Sequence, residues 1–269
     1  MYWFLGGDGR SPWAVKYLQQ QGLEVHCSHV PELPHEALPT HISRLILPAP
    51  SQKEGKLPGC EELPIEELQK KLSASSRVYC MKAGALAQEL EKSGAMITDL
   101  YDTEPYTTRN ASATAEGAVF LAMGRSMGTV GGSACLVIGA GRIGTLLSEK
   151  LSALGARVTL CARNPKDRAL AQARGLESEE TGVYRKWLGH YDFLFNTVPA
   201  PVLDREQLGQ IKKDCLLIEL ASHPGGFDPW DCEALGLQVL YAPGLPGSYC
   251  PKAAGEYYAS AILEKEGFL

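Results

Sequence analysis

Six residues, Gly139-Ala140-Gly141-Arg142-Ile143-Gly144, have the types and spacing of a turn that receives a pyrophosphate. In such a turn the first glycine allows a tight bend and the second lets the backbone approach the phosphates. The third lets a helix pack closely on a strand. N–H groups freed at the helix start add the positive end of a dipole. The flanks agree with this chemistry. The apolar run 134–138 predicts a strand before the turn, and Ile143, Leu146, Leu147, Leu151 and Leu154 form one helical stripe after it. Gly155 ends that helix, and 157–162 reads as a second strand. A dinucleotide site is predicted, with Gly139, Gly141, Arg142, Ile143 and Gly144 at the phosphates.

The tip of the second strand selects the dinucleotide. An NAD site places an acid there for the ribose 2′-hydroxyl. Here the sequence is Cys161-Ala162-Arg163-Asn164-Pro165-Lys166-Asp167-Arg168, with no acid at the tip. A guanidinium matches a 2′-phosphate in shape and charge. Arg163, Asn164 and Arg168 therefore predict NADP, with NAD as the second option, since Asp167 can neutralise one of the bases. Further strands at 192–196, 215–220 and 237–241 end in Asn196-Thr197-Val198-Pro199, Ala221-Ser222-His223 and Ala242-Pro243-Gly244-Leu245. Ligands of open α/β sheets bind beyond the carboxyl ends of the strands. Thr197, Val198, Pro199, Ala221 and Leu245 are thus expected on the nicotinamide side.

The rest of the chain must hold this unit in place. With 269 residues, two domains are expected. A net charge of −5 without a basic tract argues against nucleic acid as a partner. No apolar run reaches the ~20 residues that span a bilayer. The N-terminus MYWFLGGDGR reads as a strand rather than a signal peptide. None of the eight cysteines forms a CxxC pair, so free thiols and a cytoplasmic setting are expected. His26 and His29 lack further ligands nearby, and no metal site is predicted.

Residues 1–100 alternate strand and helix: strands at 2–5, 24–29, 44–47, 77–81 and 96–100, helices at 12–21, 64–72 and 86–92, and a polar loop at 51–63. This predicts an N-terminal, doubly wound, flavodoxin-like α/β domain before a C-terminal Rossmann NAD(P)-binding domain. A helix over 112–130, apolar nearly all round and capped by Asn110 or Ser112, is expected to be buried and to connect them. The domain boundaries read as 1–111 plus 250–269, a connecting helix at 112–131, and 132–249. The apolar connecting segments leave room for a homo-oligomer.

Several segments resemble the A-subunit family of bacterial dipicolinate synthase: GGDGR at 6–10, ILPAP at 46–50, TAEGA at 114–118, GAGRIG at 139–144, ARN at 162–164, NTVP at 196–199, ELASHPGG at 219–226, and APGLPG…PKAAG at 242–255. The resemblance spans nearly the whole chain. It implies an NADP-dependent oxidoreductase that forms pyridine-2,6-dicarboxylate from a lysine-pathway dihydro- or hydroxytetrahydro-dipicolinate. A flavoprotein-like B subunit is its implied partner, in spore-forming bacteria. Departures from the family pattern are Glu219 for Asp, Ala253 for Thr, Cys250 for a small residue, and a short 51–63 loop.

A dicarboxylate needs cations or N–H donors at both ends, and helix starts near 112 and 251 add such donors. Arg10 after the glycine turn at 6–9, Arg109, and Lys252 at the start of the last helix are the candidates. Glu116, next to Val119 and Phe120 on one helical face, is the candidate proton acceptor; Asp8 and Glu104 are weaker. Ser222 and His223 are expected near the nicotinamide. A two-domain 2-hydroxy or 2-amino acid dehydrogenase, and a non-catalytic NADP-binding subunit, are the competing readings.

Overall fold

The computed structural model describes residues 1–53 and 55–268. Glu54, inside the loop expected at 51–63, and Leu269, at the expected end of the first domain, lie outside the described residues. The chain divides into two units, Met1–Asn110 with Pro246–Leu269, and Ala111–Leu245.

In the first unit, β1 (Tyr2–Leu5), β2 (Val25–Ser28), β3 (Arg44–Ile46), β4 (Arg77–Cys80) and β5 (Met96–Asp99) form one sheet in the order β2-β1-β3-β4-β5. Every pairing is parallel, the flavodoxin-like arrangement. The interior strands are apolar because both faces are covered. One face packs Phe4, Ile46 and Tyr79 against α1 (Ser11–Gln20) and the C-terminal helix. The other packs Leu5, Leu45 and Val78 with Leu68 of α2 (Ile65–Gln69) and Leu90 of α3 (Ala85–Glu91).

The helix α4 spans Glu104–Arg125, and the division between units falls within it. It starts eight residues before the expected 112, so Asn110 and Ser112 lie inside it rather than at its cap. The polar stretch Glu104-Pro105-Tyr106-Thr107 is helical because an acid and a proline suit a first turn and Tyr106 is buried. Nor is α4 buried all round. Ala115, Ala118 and Ala122 enter the core, while Phe120 and Met123 are about three-fifths exposed, at 60% and 58%.

The second unit continues with β6 (Ala134–Ile138), α5 (Arg142–Ala153), β7 (Arg157–Ala162), α6 (Pro165–Ala173), β8 (Glu177–Glu180), β9 (Phe193–Asn196), α7 (Arg205–Leu208), β10 (Leu216–Glu219), α8 (Pro229–Ala234) and β11 (Gln238–Tyr241). Its sheet runs β11-β10-β9-β6-β7-β8, all parallel. Counted within the unit, that is the Rossmann order 3-2-1-4-5-6. The central strands bury Leu136, Val137, Leu194 and Leu217 completely. A short helix α9 (Leu245–Tyr249) leads into α10 (Pro251–Glu266), which packs on α1 within the first unit. All eight cysteines are free thiols, seven of them buried. No helix among the described residues is long and apolar enough to cross a membrane.

Candidate dinucleotide site

The turn between β6 and α5 is shaped by contacts that its glycines alone permit. Gly139 has φ 104°, and a β-carbon there would run into the Thr197 hydroxyl. A β-carbon on Gly144 would overlap the carbonyl oxygen of Gly139. Around Gly141, in contrast, nothing lies within 4 Å of a β-carbon position. Two glycines thus satisfy internal packing, and the middle one leaves an open backbone face at the start of a twelve-residue helix. That face fits a pyrophosphate, to which backbone N–H groups at a helix start can donate. Thr197 donates to the Ile138 carbonyl at 2.9 Å and ties the ends of β6 and β9 together.

A cavity of about 460 Å³ opens beside this turn, lined by Gly139, Gly141, Arg163, Asn164, Thr197 and Val198, with Pro199 at its edge. A second cavity of about 450 Å³ lies at the opposite, amino ends of the strands, around Arg125, Ser133, Asp192 and Gln238. The first occupies the carboxyl ends, where open α/β sheets bind ligands, and is the dinucleotide candidate.

At the tip of β7, Arg163 is exposed. The Asn164 side chain caps α6 by accepting from the Lys166 N–H at 2.9 Å. Arg168, expected at a 2′-phosphate, is engaged elsewhere. Its Nη1 donates to the carbonyls of Ala162 and Arg163, both at 2.9 Å, and Glu180 stands 4.0 Å away. It straps the turn that carries Arg163, because strand-end carbonyls need donors.

The loop after β10 is pinned by Glu219, a role that residue type and spacing do not predict. This carboxylate is buried, with 2% exposure. It accepts from Asn196 Nδ2 at 2.8 Å, from the Ala221 N–H at 3.0 Å and from the Gly226 N–H at 2.7 Å. Burial pushes its pKa up; the donors of Gly226, Asn196, Ala221 and Phe227 pull it back, and the net direction is upward. An available signal was a lone acid at the end of an apolar strand, one strand away from Asn196. The register pairs these two residues.

Other expected residues fall away from the cavity. Leu245 is buried in the core against Gly117 rather than facing the nicotinamide side. Ala221 is buried, its N–H engaged by Glu219. Ile143 packs its side chain on the core, while Arg142 is exposed at the helix start. Ser222 and His223 are exposed on the pinned loop. Glu116 is exposed and pairs with Lys150 at 3.1 Å. Lys150 stands eight residues along α5 from Arg142, ~12 Å at the helical rise. Glu116 therefore stands beside the far half of α5 rather than at the turn 139–144.

In the first unit, Arg10 is 7% exposed and clamped by Asp8 through Nε–Oδ1 at 2.9 Å and Nη2–Oδ2 at 2.7 Å. Burial opposes ionisation of Asp8, but the bonds and charge of Arg10 outweigh it and hold the carboxyl below its ordinary range. Lys252 is exposed, its ammonium 5.6 Å from the centre of the Trp13 ring, with Lys16 at 5.2 Å from the same ring. Arg109 stacks 5.9 Å from Tyr257. His26 is held between Glu24 and Glu36, and His29 stands against His35 with ring centres 4.3 Å apart.

Fold and site together define a two-domain α/β protein with a C-terminal nicotinamide-dinucleotide-binding domain of dehydrogenase type. Residues 122–223 match the NAD binding domain of the D-isomer specific 2-hydroxyacid dehydrogenases. The chain is related, in sequence and in fold, to the A subunit of dipicolinate synthase. The Bacillus subtilis (strain 168) protein of that name is 32% identical over 166 residues, covering 62% of this chain and 56% of that protein. The aligned part thus spans just over half the length of that relative. The crystal structure of the dipicolinate synthase A subunit from Bacillus halodurans superposes with a TM-score of 0.88 at 26% identity, over 98% of this chain and 96% of that one. Its Bacillus subtilis counterpart gives a TM-score of 0.86 at 26% identity, over 99% and 95%. A D-lactate dehydrogenase from Treponema pallidum shares the fold, with a TM-score of 0.61 at 14% identity, over 99% and 97%.

Proposed function

We propose that this chain is an NADP-dependent oxidoreductase subunit that forms pyridine-2,6-dicarboxylate from dihydrodipicolinate or its hydroxytetrahydro precursor. The observation that carries the reading is the open backbone face at Gly141 beside an exposed Arg163, on a chain related to the A subunit of dipicolinate synthase along nearly its whole fold. The dihydro ring loses two hydrogens, one as hydride and one as proton; the hydroxytetrahydro ring first loses water. A bound nicotinamide supplies the hydride acceptor.

The chain's own residues then bind and orient. The turn 139–144 presents its N–H groups to the pyrophosphate, and Arg163 offers its guanidinium to the 2′-phosphate, held in place by the Arg168 strap. Thr197, Val198 and Pro199 border the nicotinamide side, and Glu219 fixes the loop that carries Ser222. Because aromaticity favours the product, orientation of the ring is the main task, and proximity can lower the barrier by up to ~7–11 kcal/mol. A flavoprotein B subunit is the proposed partner, since the Bacillus subtilis relative is itself named as one subunit of its synthase.

One second reading has specific support. The exposed, Lys150-paired Glu116 leaves the chain without its expected acid–base group, which suits a non-catalytic subunit that holds NADP for its partner. Assays of the purified chain alone and with the B subunit separate the two. Pyridine dicarboxylate formed with matched NADPH identifies the enzyme; dinucleotide binding without turnover in either assay identifies the carrier. Oxidation of a 2-hydroxy or 2-amino acid instead would overturn both.

A further inference from the structure

We infer that Asn196 is a positioning residue of the dinucleotide site, fixing the turn Thr197-Val198 as a wall for the nicotinamide half of the cofactor; this rests on the reading above. The residues concerned all lie within the second unit. Asn196 ends β9 and has no exposed surface. It does not line the cavity beside the glycine turn, whereas Thr197 and Val198 do. Its effect on a ligand therefore passes through these neighbours.

The side-chain amide of Asn196 takes up the backbone of Val198. Oδ1 accepts from the Val198 N–H at 3.1 Å, and Nδ2 donates to the Val198 carbonyl at 2.9 Å. Nδ2 also donates to Glu219 Oε1 at 2.8 Å. A carboxylate and a carbonyl both require a donor, so only one orientation of the amide serves all three partners. Thr197 is tied as firmly, its N–H and hydroxyl both donating to the Ile138 carbonyl, at 3.0 and 2.9 Å. With these polar groups spent inside the protein, the turn presents its Val198 side chain to the cavity, an apolar lining of the kind that ligand clefts use. A β-carbon on Gly139 would meet a Val198 methyl at 2.9 Å, so the wall adjoins the pyrophosphate turn. Behind the amide the packing is closed, since a β-carbon on Gly226 would overlap Nδ2. An apolar residue would end the apolar strand β9 without desolvating an amide. A buried amide with every partner in place instead specifies a single backbone geometry.

The test uses the full chain, titrated with NADPH and with adenosine 2′,5′-bisphosphate, which keeps the 2′-phosphate and lacks the nicotinamide half. The ratio of the two dissociation constants reads the contribution of that half. Asn196→Asp, Asn196→Ala and Val198→Ala are compared with wild type, and thermal unfolding is recorded for each. We expect wild type to bind NADPH the more tightly. Both Asn196 variants should lose about tenfold or more of that preference, with binding of the bisphosphate unchanged to within about twofold. Val198→Ala leaves the amide network in place and should lose roughly three- to tenfold, the worth of two methyl groups; it carries the test if the Asn196 variants do not fold. No preference in wild type, an unchanged preference in Val198→Ala or in a folded Asn196 variant, or equal losses for the two probes overturns the inference and leaves the proposed function standing. A wild type that binds neither probe overturns both.

Discussion

The carbonyl oxygen of Gly139 occupies the place that a β-carbon on Gly144 would need. The turn and the first helical turn are therefore in direct backbone contact, and the open face lies between them at Gly141. Substitution at the two positions should separate folding from binding. Gly144→Ala forces the turn apart, and we expect a loss of stability of about 1–3 kcal/mol, the usual range for overpacking. Gly141→Ala meets nothing in the protein, and should leave the melting temperature within about 2 °C while weakening dinucleotide binding at least tenfold. Urea and thermal unfolding, with fluorescence titration by NADPH, give these quantities.

Arg163 is an exposed guanidinium at the tip of β7 with no carboxylate paired to it among the described residues, and Arg168 is its support. Arg163→Ala should weaken NADP⁺ binding by roughly 10–100-fold, the worth of one charge-assisted contact, with NAD⁺ little changed. Equal losses for the two dinucleotides would reject the 2′-phosphate assignment. Arg168→Lys retains a charge but cannot span two carbonyls, so it should weaken NADP⁺ binding by a smaller factor, again with NAD⁺ little changed.

Glu219 accepts hydrogen bonds from three donors that have been taken out of water. Glu219→Ala takes the acceptor from all three, although Asn196 Nδ2 keeps its bond to the Val198 carbonyl, and a cost of about 3–5 kcal/mol is expected in urea unfolding, at about 1–3 kcal/mol for each buried donor left unsatisfied. Glu219→Gln keeps one carbonyl acceptor and should cost less. If the alanine variant is as stable as wild type, the loop is held by something other than this carboxylate.

His26 has its pKa raised chiefly by the hydrogen bond to Glu36, with Glu24 adding to it. A histidine raised in the folded state contributes stability that is fully present below the unfolded value near 6.5. That contribution is lost as pH rises through the folded pKa. Proton NMR titration should therefore find the His26 midpoint above that of an unfolded peptide. Glu36→Gln should bring it down, and the pH dependence of unfolding above neutrality should flatten with it. His26 also stacks on Trp3 at 5.1 Å, so tryptophan fluorescence should follow the same midpoint.

The dinucleotide turn and both parallel sheets were legible because their signals are local: glycine spacing, an apolar run, a 3.6-residue stripe. Strands β1 and β7 match the sequence expectation at both ends. The strand β8, Glu-Ser-Glu-Glu, carries no apolar alternation and was invisible. It exists because Thr159, Leu160, Cys161 and Ala162 offer it a parallel partner at the sheet edge. The early start of α4 was hidden for a related reason, since its first turns are polar and are anchored by the buried Tyr106 and Thr107.

Chain order and residue type alone thus determined the two α/β layers and the six-residue cradle at 139–144, since each depends on neighbours a few positions apart. Tertiary structure decided which charges stay free. Arg10 is spent on Asp8, Glu116 on Lys150 and Arg168 on strand-end carbonyls, whereas Arg163 has no carboxylate within ion-pair reach among the described residues. The physical reason is range. A charge is silenced by whatever opposite group the fold delivers within a few ångströms, and Glu116 and Lys150 are 34 positions apart in sequence.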